Sequence, residues 1–151
     1  MKQQDFETLL ADITKQINGP IEWEEDKDHY PSVEFRVEVI SQPKYPIFVK
    51  GSYNQLAQTL TYALIHQGHG RIYALDLGKD HHNPTCVYVG RKHKHRWTES
   101  FRDKEAYVPD DITFLGLKAP AFMHGDEKPA PAGGKCLKTL QKSPRPQVEN
   151  V

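Results

Sequence analysis

Hydrophobic residues recur along this chain with two different periods. Across residues 5 to 18, "DFETLLADITKQIN", Phe6, Leu9, Leu10, Ile13 and Ile17 fall on one side of a helical repeat, which predicts an amphipathic helix. Asp5 is suited to cap it, because a carboxylate accepts from the unpaired N–H groups of the first turn. Asn18, Gly19 and Pro20 end it. Across residues 32 to 41 the period changes to two: Val33, Phe35, Val37 and Val39 alternate with Glu34, Arg36 and Glu38, as in a half-buried strand. "SQPKYP" turns the chain, and "IFVKG" begins another strand.

Residues 55 to 66, "QLAQTLTYALIH", fit both periods, since Leu56, Leu60 and Leu64 share a face in a helix and in a strand. The turn "QGHG" and the strand-like "RIYALDL" that follow favour a hairpin, with strands from about Thr59. "GKDHHNPT" reads as a loop, "CVYVG" as a strand and "KHKHRWTE" as its hairpin partner. From Ala119 onward the periodicity fades and nearly half of the eleven prolines accumulate. The expected organisation is therefore a single α+β domain over residues 1–118, with an N-terminal helix packed on a mainly antiparallel sheet, followed by a flexible, proline-rich tail over 119–151.

Composition narrows the functions. Twenty basic residues balance twenty acidic ones, so any polyanion binding must come from a local patch. Cys86 and Cys136 form no CxxC pair, and the first residues lack a signal-peptide core. These features lead to the expectation of a cytoplasmic protein with free thiols and no membrane span. Phosphate-loop, dinucleotide, HExxH and GxSxG motifs do not occur.

The densest chemistry is "GRKHKHRWTE" at residues 90 to 99. Strand alternation separates Lys92, Lys94 and Arg96 from His93, His95 and Trp97. With Trp97 turned toward the core, the histidines point inward or line a cleft, and the cations, together with Arg91, meet water or phosphate. Three readings of the histidines stay open. They are structural, each bonded to a carbonyl or carboxylate. They chelate a metal with a third ligand drawn from Asp76, Asp80, His81 or His82. Or His81 or His82 joins His93 or His95 in acid–base cleavage of a phosphodiester, with Arg91 or Lys92 balancing the charge. No cofactor and no metal is assigned from the sequence, because no single motif fixes a ligand geometry.

The segment from Arg71 to Ile112 resembles a group of small bacterial proteins of unknown function from prophages and other mobile elements. The resemblance rests on the strand ending in Asp76, "HHNP" at 81 to 84, "HKH" at 93 to 95 and "AY" at 106 to 107. It implies a phage, defence or toxin–antitoxin setting and no established activity. It also implies a closing amphipathic helix, which the residues after Ala119 do not supply.

Two functions of different class follow. One is a non-enzymatic binding or accessory protein, meeting a protein or a nucleic-acid phosphate through residues 91–96. The other is a small metal-independent endoribonuclease using His81, His82, His93 and His95.

Overall fold

A computed structural model describes residues 1–117. One helix, α1 (Gln3–Ala11), precedes eight strands: β1 (Gln16–Ile17), β2 (Glu24–Glu25), β3 (Val33–Ile40), β4 (Ile47–Asn54), β5 (Thr59–His66), β6 (Gly70–Leu77), β7 (Lys92–Arg96) and β8 (Ala106–Tyr107). They form one antiparallel sheet in the order β1-β3-β4-β5-β6-β7-β8, with β2 also paired to β3. This is the expected α+β architecture. The expected tail over 119–151 lies outside the described residues.

α1 is shorter than its periodicity suggested. It starts one turn early, and the Asp5 carboxylate accepts from the Lys2 N–H at 3.2 Å. It ends at Ala11 because two side chains capture the backbone there. The Asp12 carboxylate takes the Thr14 N–H and hydroxyl, and the Lys15 ammonium donates to the carbonyls of Leu9, Leu10 and Asp12. The chain then extends into β1, which leaves Ile13 exposed and removes Ile17 from the helical face.

β3 follows its alternation closely. Val37 lies opposite Val49 of β4, Val49 opposite Leu64 of β5, and Tyr62 opposite Leu75 of β6. Partners across a ladder share a face, so these residues make one apolar surface. Phe6 and Leu9 of α1 join them in a single core with Trp97 and Phe114. Gly51 lies opposite Phe35, whose ring occupies the space a Cβ would need. Residues 59–66 are strand, because β5 is paired along its length on both sides.

"CVYVG" does not form the expected strand. Residues 78–91 are a loop carrying a single bridge, His82 to Tyr88, and Cys86 has a φ of +71°. β7 pairs instead with β6 and β8. Cys86 is half-buried and disulfide-bonded, so the free-thiol expectation does not hold for it. No helix among the described residues is long and apolar enough to cross a membrane.

The register of β7 reverses the expected orientation of its two faces. Lys92, Lys94 and Arg96 pair with Leu77, Leu75 and Tyr73, which places them on the apolar side of the sheet. His93 and His95 pair with Asp76 and Ala74, whose β5 partners are Thr61 and Ala63. That side continues across β4 and β3 as Lys50, Ser52, Glu34 and Arg36, the polar face. Trp97 lies past the last residue of β7, and its ring packs 5.8 Å from that of Phe6.

Candidate histidine site

His93 and His95 occupy the polar face but are buried, at 1 % and 3 % exposure, because two loops fold over them. The first loop, 78–91, brings His81 against both rings. The His81 centroid is 5.3 Å from His93 and 4.6 Å from His95, and those two are 5.0 Å apart. The second loop, 98–105, supplies backbone acceptors. The loop chain is pinned to the sheet edge by Asn83, whose amide donates to the Ala106 carbonyl at 2.8 Å and accepts the Ala106 N–H at 2.7 Å.

Each imidazole is held by one main-chain carbonyl. His93 Nδ1 donates to Gly90 O, His95 Nδ1 to Asp103 O and His81 Nε2 to Lys104 O, each at 2.8 Å. A carbonyl can only accept, so these contacts fix the proton on that nitrogen and direct the other inward. The inward Nε2 atoms of His93 and His95 meet one atom, Asp76 Oδ2, at 3.2 and 3.1 Å. The other carboxylate oxygen accepts the Thr61 hydroxyl at 2.6 Å, and Lys79 donates to that hydroxyl at 2.8 Å. Arg71 stands 4.0 Å from Asp76 and binds Asp103 at 3.0 Å.

Burial pushes the Asp76 carboxyl upward, but hydrogen bonds from His93, His95 and Thr61 outweigh it and hold the group well below the usual carboxylate range. Burial lowers the pKa of His81, as does the charge of His95 and His93, against the opposing hydrogen bond to the Lys104 carbonyl. One nitrogen each from His81, His93 and His95 lies within 4.8 Å of the others, a set able to hold a metal ion. Thus three of the four predicted histidines come together. His82 does not join them: its ring lies 4.9 Å from that of Tyr88, and its Nε2 is buried without a hydrogen-bond partner.

The basic residues do not form one solvated row. Lys94 is 7 % exposed, sits 5.7 Å from the Tyr73 ring and is 3.7 Å from Asp111. Arg91 donates to Gly78 O at 3.0 Å and lies 3.9 Å from Asp80. Lys92 is half-buried, whereas Arg96 is exposed, with its guanidinium carbon 5.7 Å from the centre of the Phe6 ring. Asp76 was legible only as one of several third ligands, and Thr61 and Asn83 were not singled out. Their signal was the pairing register and the asparagine of "HHNP".

Asn83→Ala is expected to destabilise the domain by about 1–3 kcal/mol for each Ala106 backbone group left unpaired. Urea unfolding followed by circular dichroism measures it. A change within experimental error would mean that Asn83 does not pin the loop.

A family model matches residues 1–124, that of DUF6978, a family of unknown function. No curated protein and no solved structure matches the chain.

Proposed function

This chain belongs to DUF6978, a family of unknown function, and from its own geometry we propose that it is a non-enzymatic binding or accessory protein. The observation that carries this reading is the withdrawal of the histidines. An acid–base pair for phosphodiester cleavage must reach the substrate hydroxyl and the leaving oxygen. His93 and His95 are buried, and each has one nitrogen on a carbonyl and the other on Asp76. The cluster holds two loops against the sheet and leaves no imidazole nitrogen of His93 or His95 to reach a substrate.

The polar face offers the partner surface. A cleft of about 530 Å³ opens there, with Tyr30, Ser32, Lys50, Ser52, Asn54 and Lys79 among its lining residues. In this reading the cleft takes the partner role first expected of residues 91–96. The reading retains the mobile-element setting implied by the resemblance over residues 71 to 112.

Purified protein incubated with labelled RNA, with and without chelator, is expected to leave the RNA intact. Chelator-resistant cleavage that disappears in His93→Ala and His95→Ala would overturn the proposal.

A further inference from the structure

We propose that His81, His93, His95 and Asp76 form a closed, four-ligand site for a divalent transition metal of the zinc class. The inference goes beyond the binding role and does not depend on it.

The first support is a conflict between lone pairs. With Nδ1 of His93 and of His95 donating to Gly90 and Asp103, the neutral form of each ring presents a lone pair at Nε2. In that form both lone pairs face the same carboxylate oxygen, at 3.2 and 3.1 Å, and the hydrogen bonds to Asp76 exist only when a further proton sits on each Nε2. Acceptors do not converge in a buried space unless something positive lies between them. A metal ion meets that need for all the groups at once.

The second support is geometric. Bonds of about 2.0–2.1 Å to a tetrahedral zinc ion set neighbouring donor atoms about 3.3–3.4 Å apart. The two contacts from Asp76 to the histidines are already close to that separation. All three histidine donors lie within 4.8 Å of one another, so small ring movements complete the shell. His81 is the ligand able to make them, since it is only partly buried and sits on a loop.

The third support is the outer layer. A metal-bound histidine characteristically donates its second nitrogen to a carbonyl or carboxylate, which fixes the tautomer and the ring angle. All three rings do so here, to Gly90, Asp103 and Lys104. Asp76 is oriented in the same way by the Thr61 hydroxyl on its other oxygen.

The donor set identifies the class of ion. Three imidazoles and one carboxylate suit zinc, cobalt, nickel or copper, whereas magnesium and calcium favour all-oxygen shells. With Asp76 joining the three histidines as the fourth ligand, the ion would have no open position, the mark of a structural rather than a catalytic site. The ion would tie loop 78–91, which carries His81, to β6 and β7.

The test uses the full chain without a polyhistidine tag. Elemental analysis after purification is expected to find about one zinc ion per chain, as a four-ligand structural site holds. Chelator-stripped protein titrated with Co²⁺ alone is expected to develop the visible absorption of a tetrahedral ion. His81→Ala and His95→Ala should each abolish that absorption, while a His66→Ala, His69→Ala double variant, altered at a distant hairpin turn, should retain it. Thr61→Val, which removes only the support of Asp76, should weaken Co²⁺ binding by about 10–100-fold. Because His81 is partly exposed, His81→Ala gives a reading even if His95→Ala fails to fold. Metal-free wild type that takes up neither Zn²⁺ nor Co²⁺ would overturn the site and assign the charge between the rings to protons. Unchanged Co²⁺ spectra in His81→Ala would also overturn it. Either result, with RNA left intact, would leave the binding role standing.

Discussion

Trp97→Ala is expected to lower the free energy of unfolding by about 3–5 kcal/mol. Trp97 is 2 % exposed and belongs to the same core as Phe6, Val37, Leu64 and Leu75. Its ring faces Phe6 at 5.8 Å and is covered by the Arg102 guanidinium at 5.5 Å, and its backbone N–H donates to Ile72 O. It therefore joins three separate parts of the chain: α1, β6 and the segment after β7. Alanine leaves a large cavity with few side chains free to fill it. Denaturant unfolding followed by far-ultraviolet circular dichroism is the suitable measurement, because tryptophan fluorescence would then report only Trp23, which is 40 % exposed. A loss below about 1 kcal/mol, the ordinary effect of a single substitution, would show that the ring is not a core element.

Asp76→Ala is expected to cost a similar amount, about 3–5 kcal/mol, for an electrostatic reason. The carboxylate is the shared partner of His93, His95 and Thr61 and lies 4.0 Å from Arg71. Removing it leaves several buried polar groups facing one another without a counter-charge. Unfolding curves recorded in chelator isolate this effect from any contribution of a bound ion. Asp76→Asn keeps the shape, and with it the Thr61 acceptor, and should lose less than the alanine variant. Equal stability of Asp76→Ala and wild type in chelator would show that the cluster is held by its carbonyl contacts alone.

The parts of the fold legible in the sequence were those governed by local periodicity. β3 was readable because Phe35, Val37 and Val39 are buried while Arg36 and Glu38 are solvated. The end of α1 was not readable, because Ile13 and Ile17 continue the helical spacing while Asp12 and Lys15 bind the backbone and stop it. "CVYVG" has strand composition, yet the turn closed from Cys86 N–H to Asn83 O, with Asn83 itself bonded to Ala106, excludes the ladder.

The histidine site shows the same division. Alternation correctly separated His93 and His95 from Lys92, Lys94 and Arg96. The direction of each face depends on pairing with Asp76 and Leu75 of β6, a long-range property. Trp97 misled because the strand stops one residue before it. The arrival of His81 depends on closure of loop 78–91, which no local pattern encodes.

The carbonyls that hold the rings come from both loops: Gly90 from one, Asp103 and Lys104 from the other. Neither loop can lift without breaking the bond from His81 of one loop to the Lys104 carbonyl of the other. Segments 78–91 and 98–105, which are separate in sequence, therefore constitute one cooperative unit of local opening. Their slowly exchanging amides should share a common opening free energy, distinct from that of the exposed hairpin turns.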